Sequence, residues 1–99
     1  MMELQICNRK GETLKAYPIS DRSEMIIGRE EHCDVRIGAS SISREHCMIE
    51  HVDNSYILRD LDSTTGTRVN GKSIDAIQIH HGLEIQIGPA VLKFLENQS

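Results

Sequence analysis

Ninety-nine residues with a net charge of −4, 38% hydrophobic and 26% charged, are enough for one domain and lie outside the disordered and fibrous compositional classes. The acidic balance argues against a duplex nucleic-acid binder, which neutralises phosphates with clustered Lys and Arg, so any anion site has to be local. No apolar run approaches the ~20 residues that cross a bilayer, and no basic region followed by an apolar run opens the chain, so neither a membrane nor a secretory address is expected.

In chain order, no window of useful length repeats apolar residues at helical spacing between two caps. Short alternating or β-branched runs bounded by Gly, Asp, Asn, Ser or Pro recur instead, and the chain is read as all-β. Strands are expected over Met2–Cys7, Thr13–Pro18, Glu24–Gly28, Asp34–Ile37, Cys47–Val52, Tyr56–Asp60, Ile74–Ile79, Leu83–Ile87 and Val91–Leu95. The cleanest alternation sets Leu83, Ile85 and Ile87 against Glu84 and Gln86, so that strand has one wet face. Asp53-Asn54-Ser55 reads as a hairpin connection and Asn70-Gly71 as a second turn. Many short strands joined by regular turns indicate a sandwich or barrel.

Tyr17, Tyr56 and Phe94 are the only aromatics and Trp is absent, so Ile, Leu, Val, Met and Cys must build a thin core. Cys7, Cys33 and Cys47 are odd in number and follow no zinc or disulfide spacing. They are expected as small apolar residues in or near the core, in a reducing cytoplasm. His80 and His81, followed by Gly82, read as turn residues; His32, His46 and His51 have no ligand spacing with Cys33 or Cys47, and neither metal nor cofactor is expected.

Two segments rich in Ser and Thr fit strands poorly, Gly38–Glu45 and Asp62–Thr67. Loops on a rigid scaffold are where binding residues concentrate. Gly28-Arg29, Ser43-Arg44-Glu45-His46 and Ser63-Thr64-Thr65-Gly66-Thr67 offer guanidinium, hydroxyl and amide groups. These suit a phosphate ester, with its charge of about −1.5 to −2 and three acceptor oxygens. Taken singly, Arg29 and Arg44 would be solvated surface residues, and Ser43 and Thr64 turn residues capping their own backbone.

The ordered series Gly28-Arg29, Asp34-Val35, Ile42-Ser43-Arg44-Glu45-His46, Asp60-Leu61, Ser63-Thr64-Thr65-Gly66-Thr67, Val69-Asn70-Gly71 and Ile85-Gln86-Ile87-Gly88 resembles the forkhead-associated (FHA) domain pattern. The resemblance runs from about Met25 to Phe94, and the whole of 1–99 is expected to be a single FHA domain. It implies an eleven-stranded two-sheet β-sandwich whose loops at one edge grip an extended phosphothreonine peptide. By that resemblance Arg29, Ser43, Arg44 and Thr64 surround the phosphate. Thr65 and Asn70 lie near the peptide backbone, while Gly28, His46 and Gly66 support the loops from behind. The family's preference for phosphothreonine comes from a slot that receives the threonine γ-methyl.

The implied function is an adaptor that docks a partner phosphorylated by an upstream Ser/Thr kinase, with no catalysis. FHA domains often sit beside other domains in longer chains, and Met1-Met2 reads as a natural start. Two departures stand out. Thr65 replaces the family's Asn, and a hydroxyl cannot donate and accept through two separate atoms as a carboxamide does. Leu83 replaces an Asp, a change expected to bear on turn packing. The principal alternative is an FHA fold that pairs with a partner, or with itself, without phosphate. A remoter one is a hydrolase, since Ser43, His46 and Asp60 or Asp62 supply triad residue types; no nucleophile elbow or oxyanion hole accompanies them.

Overall fold

The computed structural model describes residues 2–19 and 24–96. Its strands are β1 (Met2–Cys7), β2 (Thr13–Ile19), β3 (Glu24–Gly28), β4 (Val35–Arg36), β5 (Cys47–Val52), β6 (Ser55–Asp60), β7 (Arg68–Val69), β8 (Lys72–Ser73), β9 (Ala76–Gln78), β10 (Glu84–Ile87) and β11 (Ala90–Glu96). They form a six-stranded sheet in the order β2-β1-β11-β10-β7-β8 and a five-stranded sheet in the order β4-β3-β5-β6-β9. Every pairing is antiparallel except β3 with β4. Among the described residues there is no helix, and the expected all-β sandwich of eleven strands is what forms.

The alternation of each strand decides which side faces inward. In β10, Ile85 and Ile87 are buried while Glu84 and Gln86 are exposed. Register then stacks the apolar side chains: Leu4 opposes Phe94 across β1 and β11, and Ile85 opposes Leu92 across β10 and β11. The other sheet answers with Ile27, Val35, Ile49 and Leu58, closing a core in which Phe94, among the described residues, is the only benzene-type ring fully buried. Tyr17 and Tyr56 pack against its margins.

Three segments depart from the sequence reading. Nine strands are legible in the alternation; the two it omits, β7 and β8, pair two residues each around Asn70-Gly71. Asn70 (φ 52°) and Gly71 (φ 81°) both adopt the left-handed backbone of a tight two-residue hairpin turn, which Asn-Gly favours. The expected strand over Asp34–Ile37 contracts to β4. Asp34 there spends its carboxylate on the Ile26 N–H at 2.8 Å, which ties down the turn into β4. Ile74–Ile79 likewise contracts to β9, as the Ile74 N–H turns to the Thr67 carbonyl at 2.9 Å.

The turn expected at His80, His81 and Gly82 is present, closed by the Leu83 N–H on the His80 carbonyl at 3.1 Å. Leu83 fills a core position there, so an aliphatic side chain suits the site. Cys7, Cys33 and Cys47 are all buried free thiols, as expected, with Cys47 inside the main core.

With one large buried ring in a core of aliphatics, Phe94→Ala is expected to cost about 3–5 kcal/mol. Urea denaturation would show this as a large fall in midpoint with the slope retained. A change under ~1 kcal/mol would mean that the core collapses around the cavity.

Candidate functional site

Segment 37–46, between β4 and β5, and segment 61–67, between β6 and β7, meet at one end of the sandwich beside the end of β3. The approach of β3 is close enough to require glycine. A Cβ on Gly28 would overlap the Arg44 carbonyl oxygen and lie 2.9 Å from Cys33 Sγ. That carbonyl gathers three donors: the Arg29 N–H at 3.1 Å, the Glu30 N–H at 3.3 Å and the Cys33 thiol at 3.2 Å. Burial pushes the Cys33 thiol up, and the nearby Glu45, Asp34 and Glu30 carboxylates push the same way, so it stays a protonated donor. Arg29 donates its Nε–H to the Ile42 carbonyl at 3.0 Å, which fixes the stem and leaves the terminal guanidinium N–H groups.

His46 is wholly buried and joins the two loops. Its Nδ1 accepts the Ser43 N–H at 3.1 Å, so the ring proton sits on Nε2, which donates to the Gly66 carbonyl at 2.9 Å. Gly66 has φ 90°, a conformation that Cβ-bearing residues rarely adopt. Neither ring nitrogen reaches the Ser43 hydroxyl, Asp60 or Asp62, so the triad residue types do not assemble as one.

The second loop is organised by Asp60. Its carboxylate accepts the Ser63 N–H at 3.1 Å, the Ser63 hydroxyl at 2.6 Å and the Thr67 hydroxyl at 2.7 Å. Burial alone would raise the carboxyl, but those three hydrogen bonds outweigh it and hold the group below its usual range. Ser63 Oγ also accepts the Gly66 N–H at 3.1 Å, which rounds off the turn.

The loops then clasp each other directly. Ser43 Oγ accepts the Thr64 N–H at 2.9 Å, which commits an acceptor lone pair and leaves the hydroxyl proton to donate elsewhere. Thr65 donates its hydroxyl to the Ser41 carbonyl at 2.9 Å. Arg29 is half-buried; Arg44 and Thr64 are exposed, and Arg44 faces Glu30 at 3.6 Å. The structure therefore brings Arg29, Ser43, Arg44, Thr64 and Thr65 to one end, with Gly28, His46 and Gly66 behind them. Asn70 stands apart, at the tip of the β7–β8 hairpin. Such an end can offer a small anion guanidinium and hydroxyl donors without burying it.

Asp60, Ser63, Cys33 and the Ser41 carbonyl carry the loop geometry, yet only Asp60 and Ser63 stood in the motif, and without a stated role there. The three-residue spacing of Asp60 and Ser63 is the signal that was available, since Asp side chains commonly bond backbone just ahead of them in turns. Nothing in the local sequence marks Cys33 or Ser41.

The FHA domain family model matches residues 25–88. The human proliferation marker protein Ki-67 is 36% identical over 92% of this chain, and the mouse protein is 37% identical over 75% of it. The chain spans only 2–3% of the length of those proteins. Among solved structures, the FhaA FHA domain complexed with the intracellular domain of Rv3910 superposes with TM-score 0.83 at 28% identity, covering 95% of this chain and 99% of that one. A structure from a study of phosphothreonine-dependent FHA domain interactions superposes with TM-score 0.85 at 26% identity, covering 99% and 98%.

With Asp60 held below the unfolded value of about 3.9, the unfolded chain binds the proton first as pH falls. Its contribution is complete above the unfolded pKa and is lost as pH drops through the folded one. Asp60→Asn is expected to lower the thermal midpoint at pH 7 and to flatten its decline between about pH 5 and pH 2. Parallel pH profiles for the two proteins would remove Asp60 as the loop's charged anchor.

Proposed function

The chain belongs to the FHA domain family, and on that premise we propose that it is an adaptor that docks phosphothreonine-containing partner proteins and catalyses nothing. The observation that carries this reading is the Ser43 hydroxyl: its acceptor side is taken by the Thr64 N–H, so its proton is available to an anion beside Arg29 and Arg44. In this reading Arg29, Ser43, Arg44 and Thr64 surround the phosphate. Thr65, its own proton committed to Ser41, presents only an acceptor to the peptide backbone, and Asn70 contacts the segment further along. Gly28, His46 and Gly66 hold the loops in place.

Support comes also from the structural relatives, one in complex with a protein domain and one from work on phosphothreonine-dependent interactions. Recognition works as a switch. An unphosphorylated threonine gives the two guanidiniums no charge to pair with, so an upstream Ser/Thr kinase turns docking on. We read residues 1–99 as one FHA domain with a signalling role. Three buried reduced thiols suit the cytoplasm as its compartment.

Arg29→Ala is expected to weaken binding to a phosphothreonine peptide library by about tenfold or more, since a hydrogen bond to a charged group contributes about 1.5–3 kcal/mol. Fluorescence polarisation against matched phosphothreonine, phosphoserine and unphosphorylated libraries would measure it. Affinity should also fall below about pH 6 as the phosphate takes up its second proton. Equal binding of all three libraries would instead favour a phosphate-independent interaction module.

A further inference from the structure

A shallow groove of about 180 Å³ begins where the clasped loops end, lined by Arg9, Thr65, Gly66, Arg68, Gln86 and Gly88. It continues across the outer face of the six-stranded sheet as a second depression that shares Arg9, Arg68 and Gln86 and reaches Asn70. The two arginines come from distant parts of the chain. Arg9 stands in the β1–β2 turn, and Arg68 in β7 pairs directly with Gln86 of β10. Both are exposed on a chain whose net charge is −4, and the stretch beside Thr65 has no carboxylate in its lining. Glu84 enters only at the far end.

We propose that this groove is a second anion subsite, in which Arg9 and Arg68 hold a negatively charged side chain of the same phosphopeptide, a carboxylate or a second phosphate. The inference rests on the phosphothreonine reading of the neighbouring loops. Thr65 provides the continuity: it belongs to the clasp with Ser41 and also lines the mouth of the groove. An extended segment anchored by its phosphate at Arg29 and Ser43 and passing Thr65 enters the space between the two guanidiniums. Gly88 at the same entrance packs closely against Ser41, where a Cβ would come within 2.7 Å of Ser41 Oγ, so the groove rim joins the loop that Thr65 clasps. Exposed guanidiniums give up little hydration to an anion, and two of them converging on one group make the contact worth more than a single surface pair.

The test measures affinity of the whole chain for phosphothreonine peptides in which one Asp, phosphoserine or Ala is moved through about four positions on either side, a span set by the ~3.3 Å rise of an extended residue. At one or two positions the acidic residue is expected to tighten binding about threefold or more over Ala. That gain should vanish in Arg9→Gln and Arg68→Gln while the Ala-flanked peptide binds unchanged, and Arg68→Glu should reverse the preference to Lys. Thermal midpoints of the variants establish that they are folded. A larger gain for phosphoserine that fades below about pH 6 identifies phosphate as the occupant, and equal gains for Asp and phosphoserine identify a carboxylate. Phosphothreonine binding with no positional gain, or with a gain that survives both arginine substitutions, overturns the groove inference alone. Absence of any phosphothreonine binding overturns the reading beneath it as well.

Discussion

The two loops at one end of the sandwich are joined through an imidazole with no access to water. His46 links two segments twenty residues apart in sequence, accepting from Ser43 N–H and donating to the Gly66 carbonyl. Only one neutral tautomer satisfies both bonds. Burying such a ring without partners would carry the full cost of an unsatisfied polar group, so the two loops can relax only together. The Thr64–Ser43 and Thr65–Ser41 clasps sit in front of that ring. They hold because the loop backbones already lie where His46 puts them.

The arrangement shares labour between backbone and side chains. The Arg44 carbonyl collects the Arg29 N–H, the Glu30 N–H and the Cys33 thiol, and Gly28 leaves room for it. Satisfying that carbonyl internally three times over pins the backbone on which Ser43 and Arg44 stand. Ser43 then presents a proton and Arg44 a guanidinium, while their backbones are held. A phosphate arriving at such an end meets donors whose positions cost little further ordering, which is where pre-organised sites gain affinity.

Alternation and turn chemistry made most of the scaffold legible in the sequence. Ile85 and Ile87 against Glu84 and Gln86 gave the inward face of β10 directly, and Asn70-Gly71 marked the turn that joins β7 to β8. What failed to register was structure too short for a period: β7 and β8 contribute two residues each, and two residues cannot alternate. The ordered motif compensated, because the FHA pattern carries the strand number that periodicity lacks. At the candidate site, Arg29, Ser43, Arg44 and Thr64, proposed to surround the phosphate, were legible from their residue types. The Ser41 carbonyl and the Cys33 thiol were illegible, since any residue supplies a carbonyl and an isolated Cys reads as core. Long-range pairing gives these groups their roles, and a local window does not contain it.

An acidic protein can still present a local site for an anion because its nearest opposing charges hold their partners weakly. Arg44 faces Glu30 at 3.6 Å, with the arginine side chain largely in solvent and the glutamate partly so, a type of pair that contributes about 0–1 kcal/mol. In the proposed site a phosphate dianion would offer the same guanidinium more charge and more acceptor oxygens, so exchanging Glu30 for phosphate would gain a charge-assisted bond. A carboxylate arriving at the same place would compete with Glu30 on nearly equal terms. Under the proposed phosphate role of Arg44, discrimination between a phosphorylated and an acidic residue would follow from leaving it with a weak partner, and a stronger internal ion pair there would blunt it.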